Sequence, residues 1–254
     1  MSTYNFFPEG WKKESLIDTK DILQGIVKRC DENYNLYIKL DDGTEGIIPR
    51  EEVEAINVDE YGLPKSNLCV GKVNKYVQFK IKHKNEKIYS RKDAQQEVLD
   101  YIKNNLNVGE IVNGIVKNIT PYGAFVDIGG GVVGLVHIED LSVARIKSPF
   151  ERIKIGQKIN IVVKSIDRET GRIGLSYKDI LGTWEENAKR FSNGMKVKGI
   201  VRETEKNKNG IFIELTPNLV GMAEYRDDLK YGDKVDIYIK KIDFEKQKVK
   251  LVIV

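Results

Sequence analysis

Three aromatic rings in this sequence stand where a strand should be polar. In Ala124-Phe-Val-Asp-Ile128 the alternation puts Ala124, Val126 and Ile128 on one face and Phe125 and Asp127 on the other. Leu36-Tyr-Ile-Lys-Leu40 and Ile211-Phe-Ile-Glu-Leu215 place Tyr37 and Phe212 in the same way. Such a ring has two uses: packing across strands on a sheet face, or stacking on a nucleic-acid base. Tyr122 supplies a second ring beside Phe125, and Gly123 between them can kink the strand so that both point outward. Tyr34 accompanies Tyr37, whereas Asn209 stands at the corresponding place before Phe212.

Polar groups surround the middle pair. His137 follows Leu135-Val136, and reads either as a half-buried structural histidine or as a stackable ring beside Phe125. Asp167 and Arg172 flank the hairpin Asp-Arg-Glu-Thr-Gly-Arg. They read as a surface ion pair, or as a guanidinium free for phosphate or stacking. Several chemistries are excluded. Neither histidine has a serine or cysteine placed for a triad. No Cys/His cluster has metal-ligand spacing, and no carboxylate cluster suggests a nuclease metal site. Gly129-Gly-Gly-Val-Val-Gly134 fits GxGxxG, but a strand follows it where a dinucleotide site needs a helix N-terminus, so it reads as a hairpin turn and no cofactor is expected.

The elements that must carry these residues recur. Gly25-Ile-Val-Lys, Gly114-Ile-Val-Lys and Gly199-Ile-Val-Arg each open a strand, 89 and 85 residues apart. A third strand begins at Gly46, Gly134 and Gly221, a fourth at Gly71, Gly156 and Gly232, and a fifth at Lys87, Arg172 and Lys248. The chain therefore reads as all-β, with three copies of one five-stranded barrel. Val98, Leu99, Ile102 and Leu106, and then Leu181, Trp184, Ala188 and Phe191, suit amphipathic helical linkers. Pro149-Phe-Glu-Arg-Ile153 suits a short helical turn. The expected organisation is an extension over 1–19 with Phe6, Phe7 and Trp11, barrels over 20–92, 108–180 and 194–254, and linkers over 93–107 and 181–193.

The 254 residues carry 31% charged side chains and a formal charge of +4, which permits a polyanionic partner without demanding one. Cys30 and Cys69 read as small buried hydrophobes rather than a disulfide. The N-terminus lacks the apolar core of a signal peptide, and no run reaches the roughly 18 apolar residues of a membrane span. A cytoplasmic protein with no membrane contact is expected.

These residues resemble the RNA-binding domain of ribosomal protein S1, an oligonucleotide-binding (OB) barrel also found in polynucleotide phosphorylase and ribonuclease E. Gly114-Ile-Val, Tyr122-Gly-Ala-Phe-Val, Gly134-Leu-Val-His-Ile, Gly156-Gln-Lys-Ile and Arg172-Ile-Gly-Leu-Ser carry the likeness. It implies three tandem OB barrels and an RNA face built from Tyr122, Phe125, His137, Asp167 and Arg172. The flanking copies keep less of it. Tyr34 and Tyr37 remain in the first, with Pro49 in place of the histidine. Phe212, Asp243 and Lys248 remain in the third, with Glu224 there instead. Tyr34, Tyr37, Phe212 and Lys248 are therefore weaker RNA-binding candidates. The resemblance implies a non-catalytic protein of translation that holds single-stranded RNA, mRNA foremost, at the small ribosomal subunit, with no small-molecule substrate. The alternative is an adaptor whose outer barrels dock a ribosomal or RNA-processing protein.

Overall fold

The structure, a computed structural model, describes residues 21–204 and 210–254. The extension around Phe6, Phe7 and Trp11, and Asn209, lie outside the described residues. Fifteen strands form three closed five-stranded barrels of one topology. In the first, β1 (Leu23–Cys30), β2 (Leu36–Lys39), β3 (Glu45–Ile48), β4 (Tyr76–His83) and β5 (Ile88–Ser90) are ordered β1-β2-β3-β5-β4, and β4 closes on β1. The second uses β6 (Ile111–Thr120), β7 (Gly123–Gly129), β8 (Val132–His137), β9 (Lys158–Asp167) and β10 (Arg172–Ser176). The third uses β11 (Lys196–Thr204), β12 (Ile211–Thr216), β13 (Leu219–Ala223), β14 (Lys234–Asp243) and β15 (Lys248–Ile253). In each barrel the third and fifth strands run parallel and the other pairs antiparallel.

Alternation fills each barrel. Val112, Val116, Ala124, Val126, Val136, Ile161, Val163 and Leu175 are fully buried in the middle one. Burying such side chains supplies roughly 1.5–3 kcal/mol each. Gly114 and Gly134 face this core because a Cβ would stand 2.4 Å from Val126 or Leu175. Gly130 (φ 59°) and Gly131 (φ 81°) form the two-residue turn between β7 and β8, so the glycine run is a hairpin.

The first strand of every barrel carries a β-bulge. The register shifts between Val27 and Arg29, between Val116 and Asn118, and between Val201 and Glu203. The extra residue is a cation each time: Lys28, Lys117 and Arg202. A bulge bends its strand, which lets one strand pair with two partners on a closed surface.

Short helices join the barrels. α1 (Ser66–Val70) lies within the first barrel. α2 (Arg91–Asn104) starts directly from β5, because Ser90 Oγ accepts from Asp93 N at 2.8 Å as an N-cap. Its Val98, Leu99 and Ile102 enter the middle barrel's core. Its C-terminus is closed by Arg168, which donates to the carbonyls of Ile102, Lys103 and Leu106. The second linker is less helical than its apolar spacing suggests. Gly182 (φ 83°) ends a 3-10 turn, and α3 spans only Trp184–Ala188 behind a Thr183/Glu186 capping box.

Each barrel docks on its predecessor through the same strand positions. Asp127, expected on a polar face, is 4% exposed. Lys117 pairs with it at 3.4 Å, and Gln78 of the first barrel reaches it at 3.5 Å. The alternation does point Asp127 out of its own barrel, but the neighbouring barrel covers it. Glu214 occupies the same place in the third barrel and accepts from Arg202 and, at 2.6 Å, from Arg152 of the second. Arg202 also pairs with Glu151, whose carboxylate takes the Tyr231 hydroxyl at 2.8 Å. The turn Pro217-Asn218 completes this junction: Ala144 N donates to Pro217 O at 2.9 Å, and Asn218 Nδ2 donates to Lys178 O and Gly182 O.

Burial alone would raise the Glu151 carboxyl, yet the Tyr231 hydroxyl, the Lys147 and Ser148 amides and Arg202 hold it below the usual carboxylate range. Glu54 is also lowered, because Arg91 and Lys72 outweigh its burial. A depressed folded-state value stabilises the fold fully above the unfolded value, and that contribution is lost as pH falls through the folded one. Melting temperature should therefore drop progressively as pH is lowered below about 4.3, the ordinary glutamate value. Glu214→Ala leaves Arg152 and Arg202 facing each other in a buried site and should cost about 3–5 kcal/mol in urea denaturation at neutral pH. A loss below about 1 kcal/mol would show that the cluster does not hold the junction.

Candidate nucleic-acid interface

The ring positions fall on one row in every barrel. Across neighbouring strands the middle row reads Asn118, Phe125, Leu135, Gly174. The first reads Arg29, Tyr37, Ile47, Ile88, and the third Glu203, Phe212, Met222, Lys250. The bulge fixes this row, since it places the residue after the extra cation opposite the ring.

In the middle barrel Tyr122 is 51% exposed and Phe125 half-buried. Their centroids lie 6.2 Å apart with planes at 87°, an edge-to-face pair. Gly123 makes this possible by close approach: a Cβ there would stand 2.3 Å from Val136 O and 3.0 Å from His137 Cα. His137, directly opposite Gly123 on β8, is exposed. Of its two sequence readings, the half-buried structural histidine is not the one the structure places there. Its Nδ1 accepts from Glu139 N at 3.4 Å as the cap of a 3-10 turn over Ile138–Asp140, so its Nε2 edge is left for other partners.

Asp167 and Arg172 face each other across the β9–β10 hairpin, both exposed. Asp167 spends its oxygens on its own turn. It accepts from Thr170 Oγ1, from Thr170 N at 3.1 Å and from Glu169 N at 3.0 Å. The Thr170 hydroxyl and amide, with help from Arg172, lower its carboxyl. It therefore shapes the hairpin that carries Arg172. Arg172 precedes Gly174 by two residues on β10, so it stands on the same strand face as the row that holds Phe125. Phe125, His137 and Arg172 thus lie on one face of β7, β8 and β10, with Tyr122 at the start of β7 and Asp167 opposite Arg172. Asn118, exposed beside Phe125, belongs there too. Its signal in the sequence was weak, because the bulge breaks the alternation that would have placed it.

The flanking rings are dressed differently. Arg29 lies 3.4 Å above the Tyr37 ring, and Arg50 lies 4.8 Å from Tyr34 while donating to Pro64 O at 3.0 Å. Both first-barrel rings already hold a guanidinium. Phe212 is half-buried beside Met222, which is 46% exposed, with Lys250 next in the row. Lys248 is exposed opposite Asp243, and Glu224 stands exposed where the middle barrel has His137.

Three closed barrels with a shared outward ring define an array of OB-type modules. Residues 105–178 match the S1 RNA binding domain model, so the middle barrel belongs to that domain family. It is 33% identical over 228 residues to the small ribosomal subunit protein bS1 of Staphylococcus aureus (strain MRSA252), covering 84% of this chain and 56% of that protein. The Leuconostoc lactis bS1 is 34% identical over 180 residues, covering 65% of this chain and 41% of the relative. The chain spans about half the length of the curated relatives it matches. Among solved structures, GSP13 from Bacillus subtilis is 27% identical over 35% of this chain and 75% of its own, with a TM-score of 0.30, too low to show a shared arrangement.

Gly123→Val forces backbone apart between β7 and β8 and should cost about 1–3 kcal/mol in thermal denaturation. Inter-ring nuclear Overhauser contacts between Tyr122 and Phe125 should vanish with it. Their survival would mean that the close approach at Gly123 does not hold the rings.

Proposed function

We propose that the chain is a non-catalytic protein that holds single-stranded RNA, with its principal contact on the middle barrel. The observation that carries this reading is the edge-to-face pair of exposed Tyr122 and half-buried Phe125, with His137 and Arg172 on the same side of the barrel. Two perpendicular rings offer stacking surfaces to successive bases, and every base has a face to stack, so little sequence preference follows. Arg172 neutralises phosphate. Asp167 holds the hairpin that presents it. Tyr34, Tyr37, Phe212 and Lys248 are secondary contacts on the outer barrels. The relatives' name, small ribosomal subunit protein, supports the small ribosomal subunit as address; translation as the setting, mRNA as ligand and the cytoplasm as compartment belong to the same proposal. Among the described residues no helix is long and apolar enough to cross a membrane. Domain limits at 20–92, 108–180 and 194–254 belong to the same proposal.

Titration of a labelled 30-nucleotide oligouridylate tests it. Tyr122→Ala/Phe125→Ala should weaken binding at least about tenfold, since each stacked base contributes about 1–3 kcal/mol. The wild-type affinity should also fall with rising salt. Unchanged affinity in the double variant would remove the site, and salt-insensitive binding would remove the phosphate contacts.

A further inference from the structure

The three bulge cations are not used alike. In the middle and third barrels the cation binds an acid two residues past the ring, Lys117 with Asp127 and Arg202 with Glu214. Both pairs lie at a junction and face the preceding barrel. The first barrel has Lys28 at the bulge and Lys39 at the acid's position, the residue opposite Ile26 as Asp127 is opposite Ile115 and Glu214 opposite Ile200. An ion pair has become two like charges. Neither lysine has an acidic partner among the described residues. Glu45, opposite Lys39 on β3, is exposed and makes no such pair. Of the turn carboxylates on either side of β2, Asp31 accepts from Asn33 N, Asn35 N and Asn35 Nδ2, and Asp42 from Thr44 N. Next to Lys28 in the chain, the exposed Arg29 holds its guanidinium 3.4 Å from the centre of the Tyr37 ring.

Two lysines at the positions that hold an ion pair in the later barrels make this a locally cationic surface, which an anion stabilises. We propose that this face of the first barrel, Lys28, Arg29 and Lys39, is a phosphate-binding surface for the backbone of single-stranded RNA, separate from the ring site of the middle barrel. It rests on the RNA-binding reading given above. The position that fastens the later barrels to a neighbour is freed in the first and recharged to take a polyanion. Arg29 serves both sides, since its guanidinium stacks on Tyr37 and can bond a phosphate bidentately.

The experiment measures binding of the full chain to a 30-nucleotide oligouridylate across a salt series, for wild type, Lys28→Gln/Lys39→Gln, and Tyr122→Ala/Phe125→Ala. Two lost phosphate contacts should lower the slope of log affinity against log salt by about 1.4 and affinity at 0.1 M salt on the order of tenfold. Lys39→Asp, which installs the acid of the middle barrel, should reproduce that loss. The ring variant should weaken binding without changing the slope. An unchanged slope in the lysine variant, with binding still weakened in the ring variant, overturns this surface and leaves the ring site standing. No binding by the wild-type chain overturns both. An unchanged slope combined with lost capture of small ribosomal subunits stripped of mRNA would assign the face to a protein partner and overturn it as an RNA surface.

Discussion

The bulge on the first strand is the constraint from which the rest of the architecture follows. That strand must pair with the second and the fourth while the sheet closes on itself, and the extra residue supplies the bend. It also splits the outer surface in two. The extra residue, Lys28, Lys117 or Arg202, turns toward one side, and the next residue stands opposite the ring. A single inserted residue therefore gives the second and third barrels a docking position, and all three a ring row, only one residue apart in sequence.

The docking side explains how such small barrels hold a fixed order. Helix length does little of it, since α3 has five residues. At the second junction the work falls to a buried cluster in which Arg152, Arg202 and Glu214 are each 6–7% exposed in their side chains. Charges so deeply removed from water are tolerable only when each is matched and hydrogen-bonded. Here Glu214 serves two guanidiniums, Glu151 serves Arg202 and Tyr231, and the ring of Tyr231 lies within reach of Lys147 at 4.2 Å. Directional partners on both barrels fix orientation in a way that an apolar patch would not. The first junction adds close packing to its polar contacts, with the Gly130-Gly131 turn pressed against Ala94, Val98 and Arg91 of α2.

Much of this was legible from residue pattern. Repeated Gly-Ile-Val openings gave three barrels, and the alternation around Phe125 gave the outward rings. The glycine run could be read as a turn because a strand followed it. What escaped was everything decided between barrels or across the bulge. Alternation reports which way Asp127 points, not that Gln78 of another barrel stands over it. It assigns Tyr37 outward, but Arg29 lands on the ring only because a skipped register brings it there. The short 3-10 turn that supplies Glu151 and Arg152 was legible as a turn, but its partners lie 51 and 62 residues away. Local pattern cannot carry contacts of that separation.

The rows beside the rings then account for unequal barrels on one scaffold. Around Phe125 stand Asn118, Leu135 and Gly174, none charged, so the platform proposed for a stacked base carries no charge in its own row. Around Tyr37 stand Arg29, Ile47 and Ile88, and the guanidinium already lies on the ring. A base there must displace it or stack on its far side, which favours backbone contacts over base contacts. Around Phe212 stand Met222 and Lys250, so a long cation stands where the middle barrel has Gly174, whose Cβ position lies 2.4 Å from Ser165 Oγ. With the fold held constant, the residue opposite the ring and the residue two strands beyond it decide whether a barrel offers a base platform, a charged shelf or a partly filled groove.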